Sequence, residues 1–265
     1  MIRNALIIAG ASFVLMLGCF AGVAALAGPV IMTDGWTIPF DRIEDGAVRR
    51  THLNVNGAKA SPVVSRQLAW TGETLVVDLP IDVTYVQGPV AKVEISGPRD
   101  VVDRLRIADG RIHMTDDEGD HRDLYADSLT IDRQGIRIHS NADQTRIVVT
   151  APNVSSFKLD GSGDLEIQAY NQPALTLALN GSGDVNAVGK TTGLIVAAAG
   201  SGDAELDDLR TLNAEIAISG SGNADISASN EVKIAISGSG DVNMGLQPTS
   251  ETSTISGSGS VRHNY

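Results

Sequence analysis

Apolar and polar residues alternate along the C-terminal half of the chain. In the most regular stretch, Val232, Ile234 and Ile236 occupy every second position, and the alternation resumes at Val242. Since successive side chains of a β-strand point to opposite faces, this period of two predicts two short strands, each with one buried face. The phrase Gly238–Asp241 lies between them and is predicted to be a turn.

The phrase between these strands recurs at nearly constant spacing. Successive copies begin 20, 19, 20, 18 and 19 residues apart. Such a period indicates one supersecondary unit that is copied and stacked, because a unit with one apolar face cannot bury that face alone. The copies are Gly161–Asp164, Gly181–Asp184, Gly200–Asp203, Gly220–Asn223, Gly238–Asp241 and Gly257–Ser260.

Equal spacing favours a solenoid over a series of hairpins. A hairpin pairs a strand with its chain neighbour, whereas stacked coils pair each strand with its equivalent in the next coil, at about 4.8 Å. The repeat therefore predicts an all-β fold, a parallel β-helix or related β-solenoid with coils of about 19–20 residues. No segment after the N-terminal leader has the sustained 3.6-residue period of a helix.

The paired glycines of each phrase are predicted to shape the corner of each coil. A sharp corner needs either a positive φ or a close approach of the backbone to the neighbouring coil, and glycine permits both. We assign this structural role to Gly161, Gly163, Gly181, Gly183, Gly200, Gly202, Gly220, Gly222, Gly238, Gly240, Gly257 and Gly259.

The acidic residue that ends four of the phrases is the candidate for a ligand-binding group. Stacking would align Asp164, Asp184 and Asp203 in a column of like charges, where each neighbouring pair costs on the order of 1 kcal/mol in water. Solvent exposure, hydrogen bonds from turn N–H groups or bound Ca²⁺ would relieve this repulsion. We favour structural turns, and the candidates for a calcium column are Asp164, Asp184, Asp203 and Asp241.

Residues 34–150 contain short β-branched runs without the phrase. Runs such as Ile81–Val86 are bounded by Pro or Gly and are predicted to be strands. Glu94–Val101 lines up with Ala235–Val242 and is predicted to be a degenerate corner of the same kind. We therefore expect a single β-solenoid domain over residues 34–265, with a less regular part (34–150) followed by the repeats (151–265).

Residues 1–33 are predicted to be a signal peptide or an N-terminal membrane anchor. Arg3 precedes the apolar run Ala5–Ala27, which ends in a small-x-small pattern suited to cleavage. The run is also long enough to span a bilayer, and Cys19 offers a weak lipoprotein site. Each alternative exports the rest of the chain, so we expect a bacterial protein of the periplasm or cell surface, with inner-membrane anchoring as the alternative to cleavage.

Charge and motifs argue against several function classes. The net charge of −12 disfavours nucleic-acid binding, which needs clustered Lys and Arg, and leaves membrane contact to the N-terminal segment. The five histidines form no metal-binding motif, and no phosphate-binding Lys follows the glycine phrases. We therefore assign no catalytic residue and no cofactor. The few aromatic residues of the coils offer little platform for a polysaccharide-cleaving site.

The phrase in its context resembles a known bacterial family. Ala151–Val154, then Phe157–Asp164, then the iterated Gly-Ser-Gly-Asp form a combination similar to the family called "Putative auto-transporter adhesin, head GIN domain". The likeness runs from about Val83 to His263. The resemblance implies an exported, right-handed β-helix-like domain in the cell envelope, and it supplies no catalytic residues.

These observations predict a non-enzymatic, exported cell-envelope protein whose solenoid presents a binding or adhesion surface to a protein or glycan ligand. One alternative is a calcium-binding or carbohydrate-acting β-helix protein, which EDTA-dependent melting and a glycan hydrolysis screen would identify. Another is a structural or signalling accessory of an envelope stress system. The sequence does not decide among them, because function depends on the site and not on the fold.

Overall fold

The structure is a computed structural model. It describes residues 62–115 and 144–265 in full, together with the backbone of four strands within 36–55 and 127–139. The predicted leader, residues 1–33, lies outside the described residues. Within the part that is described, no helix is long and apolar enough to cross a membrane.

The described elements are almost entirely strands, as the sequence predicts. One short helix, α1, spans Arg99–Val102. The strands are β1 (Trp36–Glu44), β2 (Ala47–Val55), β3 (Val63–Ala69), β4 (Thr74–Val77), β5 (Val83–Gln87), β6 (Lys92–Pro98), β7 (Leu105–Ala108), β8 (Arg111–Met114), β9 (Asp127–Asp132), β10 (Gly135–His139), β11 (Arg146–Ala151), β12 (Ser156–Leu159), β13 (Leu165–Leu179), β14 (Val185–Ala198), β15 (Ala204–Ile218), β16 (Ala224–Ile236), β17 (Val242–Met244), β18 (Ser250–Ile255) and β19 (Val261–His263).

These strands divide between two compact units. The first contains a four-stranded sheet in the order β1-β2-β9-β10, in which β1–β2 and β9–β10 are antiparallel and β2–β9 is parallel. The second unit contains all the other described strands and α1. The single domain expected over residues 34–265 stays a prediction.

The second unit is a β-solenoid of about five turns. From β12 to β16, each strand pairs in parallel with the next, and β17, β18 and β19 extend the same ladders. The β-solenoid predicted from the repeat spacing is therefore confirmed. The right-handed sense of the coil stays a prediction.

Alternation along each strand builds the solenoid core. Leu175, Leu177 and Leu179 of β13 point inward and are almost fully buried, and the next coil places Leu194 and Val196 in register with the first two. Small outward residues separate them, so each strand has one apolar face. Stacking covers the apolar residues of each coil with those of its neighbours in one continuous core, as expected of a repeat unit that cannot bury its apolar face alone.

Three aromatic side chains fill the core of the first coils. Phe157 contacts Tyr85 and Tyr170 edge to face, with ring centroids 5.0 and 6.2 Å apart. The Tyr85 hydroxyl donates a hydrogen bond to the Ala151 carbonyl at 2.7 Å, and Tyr170 donates one to Ala174 at 2.5 Å. Burial raises the pKa of Tyr85 to about 12 and raises the pKa of Tyr170 as well, so both phenols stay neutral donors at physiological pH.

The predicted degenerate corner at Glu94–Val101 is wrong. The segment begins in β6, which pairs antiparallel with β3 and β11, and it ends in α1. The reason lies in its glycine content. Gly97 packs against the side chain of Thr145 instead of a stacked corner, and Arg99 stands where the second glycine of the phrase would be. Shared residue types without the second glycine do not form this corner.

Candidate binding surface

The corner glycines permit a very close approach of successive coils. A Cβ added to Gly200 would overlap the carbonyl oxygen of Gly181, and one added to Gly202 would overlap that of Gly183. The same overlap with the preceding coil occurs at all twelve predicted positions. None of the twelve has a positive φ. Of the two needs that the sequence suggests, the structure uses the close approach and not the unusual backbone angle.

The first corner of the described part of the stack contains no glycine. Gly161 and Gly163 lie directly over the backbone of Leu79 and Ile81, so Leu79–Asp82 forms the first corner, between β4 and β5. Sequence analysis missed it because Leu-Pro-Ile-Asp shares only the final Asp with the phrase. It also lies 82 residues before the next corner, so the repeat spacing gives no signal for it.

The predicted Asp column forms a ladder of hydrogen bonds between coils. Asp184 donates its backbone N–H to Oδ1 of Asp164 at 2.9 Å, and Asp203 donates to Oδ1 of Asp184 at 2.8 Å. Asn223 continues the ladder by donating to Asp203 at 2.7 Å and accepting from Asp241 at 2.9 Å. Each side chain therefore accepts from the next coil, whereas the sequence suggested an acceptor within its own turn.

Residues outside the repeated phrase complete this ladder at both ends. At the start, Asp82 Oδ1 accepts the N–H of Asp164 at 3.0 Å. At the end, Asp241 Oδ1 accepts the backbone N–H and the hydroxyl of Ser260 at 2.7 and 2.8 Å, and Arg262 forms an ion pair with its Oδ2. The hydrogen bonds from Ser260 and the charge of Arg262 lower the pKa of Asp241. One oxygen of each acid thus serves the stacking of coils.

The ladder geometry bears on the calcium candidates Asp164, Asp184, Asp203 and Asp241. Each of these carboxylates accepts a backbone N–H through Oδ1. Among the fully described residues, no group of three or more His, Cys, Asp or Glu side chains is placed to hold a metal ion. Structural turns stay the favoured prediction for these residues, and calcium binding stays the alternative to them.

Strands β13 and β14 each contain a second bend, a few residues after the corner phrase that precedes the strand. The pairing of β13 with β14 shifts register between Ile167 and Tyr170, next to Ala169 with φ 54°. In β14 the bend lies at Gly189, with φ 147°, where a Cβ would overlap the Tyr170 carbonyl. Only glycine fits that position, because the left-handed backbone and the close neighbour act together.

The segments that follow these bends stack to line a cavity of about 620 Å³, which we call the groove. Its floor includes Thr191 and Thr211, whose hydroxyls donate to the carbonyls of Gly193 and Asn213. The rim carries amide, hydroxyl, cationic and half-exposed aliphatic side chains. These rim side chains include Asn171, Lys190, Thr192, Arg210, Leu212 and Leu246.

The groove contains two cations on neighbouring strands. Lys190 and Arg210 are direct partners in the β14–β15 ladder, and both side chains are exposed. Neither forms an ion pair, and no acidic side chain of the described residues lines the groove. At a strand spacing of about 4.8 Å, such a pair repels by about 1 kcal/mol in water. The fold therefore maintains a small positive site in a chain whose net charge is −12.

The other cations of residues 151–265 all have carboxylate partners. Lys158 pairs with Asp160 at 2.8 Å, Lys233 with Glu231 at 3.0 Å, and Arg262 with Asp241 at 2.8 Å. Lys190 and Arg210 are thus the exceptions within this fully described region. Sequence analysis did not find them because they lie 20 residues apart and belong to no motif.

Comparison with known proteins gives a family match and several matches to solved structures. The family described as "Putative auto-transporter adhesin, head GIN domain" matches residues 73–248. A crystal structure of a "putative adhesin" from Bacteroides fragilis aligns with a TM-score of 0.54 at 17% identity, covering 77% of this chain and 98% of the other. No curated protein is significantly similar in sequence.

Two further structures align with lower scores. A "putative lipid binding protein" from Parabacteroides distasonis has a TM-score of 0.44 at 17% identity and covers 76% of this chain and 96% of its own. A "putative adhesin" from Parabacteroides merdae has a TM-score of 0.37 at 14% identity and covers 80% and 98%.

Proposed function

Because the chain belongs to the family called "Putative auto-transporter adhesin, head GIN domain", we propose that it is a non-enzymatic, exported protein of the bacterial cell envelope whose solenoid binds an external ligand. The groove carries the proposal. It is an open concavity formed by five successive coils, and its exposed cations Lys190 and Arg210 take no part in ion pairs or side-chain hydrogen bonds between coils. The predicted leader and the adhesin-like family both support export.

The chemistry of the groove supports binding over catalysis. General acid–base catalysis needs a positioned titratable group near pH 7, and glycoside hydrolysis in most families needs two carboxyl groups flanking the scissile bond. The described lining of the groove contains neither a carboxylate nor a histidine. The carboxylates of the Asp ladder lie at the corner phrases and accept backbone hydrogen bonds. A carbohydrate-cleaving role therefore has no support from either surface.

Attachment assays with a deletion strain test this function. We expect cells lacking the protein to lose attachment to a natural surface or matrix, and the full chain to restore it. A Thr192→Trp variant fills the groove from its rim and should not restore attachment. Thr252→Trp places the same bulk on an exposed position of β18, away from the groove, and should restore it.

Two results would contradict the proposal. One is attachment by the deletion strain that equals that of the parent. The other is equal restoration by the two Trp variants, which would separate attachment from the groove. Cell fractionation provides an independent check, since a protein retained in the cytoplasm could not present the groove to an external ligand.

A further inference from the structure

We propose that the groove binds a carboxylate-bearing glycan, with Lys190 and Arg210 as the residues that recognise its acidic groups. This inference rests on the proposed binding function and specifies the ligand class of the same site. Its basis is the contrast between the ion-paired cations elsewhere in the coils and the two unpaired, adjacent cations in the groove.

The two cations fit an anionic partner for electrostatic reasons. Like charges on adjacent strands repel each other, and the described lining of the groove contains no acid to balance them. Asp207 and Asp208 precede Arg210 in the chain but do not line the groove. A ligand carboxylate between Lys190 and Arg210 would remove the repulsion and form charge-assisted hydrogen bonds, which an arginine makes in bidentate geometry.

The remaining lining favours a sugar over a peptide. Asn171 and Thr192 offer amide and hydroxyl groups to sugar hydroxyls, and the half-exposed Leu212 and Leu246 offer apolar contact to the faces of sugar rings. An extended peptide gains affinity by pairing with a free strand edge. The strands beside the groove, β13 to β15, already pair with neighbouring coils on both sides, so their backbone offers no such edge.

Three matched probes test the ligand class. The first is an oligogalacturonate of defined length, measured by calorimetry with the purified full chain in the presence of EDTA. The second is the same oligosaccharide with its carboxyl groups reduced to alcohols, which removes charge but keeps size and linkage. The third is an oligoglutamate of equal charge. We expect binding of the first alone, weakened severalfold when NaCl is raised from low to physiological concentration.

Two double variants with equal charge change locate the site. Lys190→Gln with Arg210→Gln should weaken binding of the oligogalacturonate at least tenfold, since two charge-assisted contacts are lost. Lys158→Gln with Lys233→Gln removes two cations outside the groove and should leave binding unchanged. Since all four positions are on the surface of the coils, unchanged melting temperatures are the check on folding.

Several outcomes would overturn the inference. These are no binding of the oligogalacturonate, equal loss in both double variants, and binding of oligoglutamate as tight as that of the glycan. If attachment still depends on the groove while no uronate binds, the ligand class alone is wrong. If attachment does not depend on the groove, the proposed function is wrong, whether or not the oligogalacturonate binds.

Discussion

Substituting a corner glycine by alanine tests whether stacking, and not turn conformation, requires the repeated phrase. At Gly200, an added Cβ would overlap the Gly181 carbonyl oxygen, which also accepts the N–H of Ser201 at 3.1 Å. The two coils cannot keep this hydrogen bond and accommodate the methyl group. Gly200→Ala should therefore separate the coils locally.

The expected loss of stability combines three contributions. Overpacking costs about 1–3 kcal/mol, and a lost backbone hydrogen bond costs about 1 kcal/mol. Because Gly200 has no positive φ, alanine fits its backbone conformation, and the reduced freedom of the unfolded chain stabilises the variant by about 0.4–1 kcal/mol. We expect the free energy of unfolding to fall by about 1.5–3 kcal/mol, which lowers the melting temperature by roughly 4–10 °C for a unit of this size.

Gly193 in the same coil provides a matched control. Its added Cβ would meet only the Pro173 carbonyl oxygen, at 3.9 Å, an ordinary contact. Gly193→Ala should therefore be neutral or stabilise the protein by about 0.4–1 kcal/mol. Urea unfolding followed by circular dichroism measures both variants. If Gly200→Ala is as stable as Gly193→Ala, close approach of the coils does not explain the phrase.

Three other predictions concern the ladder and the core. Asp203→Ala should lower the free energy of unfolding by about 1–3 kcal/mol, because the Asn223 N–H loses its acceptor. Asp203→Asn keeps an acceptor and should change the free energy of unfolding little. Equal loss in the two variants would contradict the ladder. EDTA should leave the melting temperature unchanged, since Oδ1 of each ladder acid accepts a backbone N–H, and a decrease would support calcium. Burial raises the pKa of Tyr85 from 10.0 to about 12. The contribution of the neutral phenol to stability is therefore complete below pH 10 and is lost as the pH rises toward 12. Tyr85→Phe should reduce this alkaline loss of melting temperature, and an identical pH profile in the two proteins would refute the assignment.

The repeat half of the fold could be predicted from the sequence because its constraints are local. Period-two alternation places Leu175, Leu177 and Leu179 inward, and the steady spacing of the phrases sets the coil length. The N-terminal part of the solenoid unit differs. Strand β6 pairs antiparallel with β3 and with β11, and the latter lies about 50 residues away. A pattern within one strand does not encode the direction of such distant partners.

The groove could not be predicted for a different reason. Its cations become neighbours only when the register of β14 and β15 is known, and that register includes an irregularity between Asn186 and Gly189. The spacing of the phrases gives the length of each coil, but it does not show at which position in the coil the unmatched residues of such an irregularity lie. The ion pairing of Lys158 and Lys233, which makes the unpaired cations informative, also depends on side-chain positions.

The first corner separates the two roles that glycine was predicted to play. If the turn itself required glycine, Leu79–Asp82 could not form a corner, yet it occupies the position beneath Gly161 and Gly163. Among the described residues, no further corner of the stack precedes it in the ladder. The phrase therefore marks contact with a preceding coil, and the number of phrases is one fewer than the number of described corners.

This distinction also explains why recognition is expected at the second bend and not at the corner. At the corner, the backbone of each coil leaves no room for a Cβ in the next coil, so glycine is required and the sequence repeats. At the second bend, the ladder positions in register are Asn171, Lys190, Arg210 and Ser227, which differ in charge and size from coil to coil. Ser227 is buried, whereas Asn171, Lys190 and Arg210 are exposed, and the side chains of these three form no hydrogen bond to an adjacent coil. Stacking of the coils does not require particular residue types at these positions, so ligand binding can select them. The unpaired cations Lys190 and Arg210 are the residues there that coil stacking does not explain.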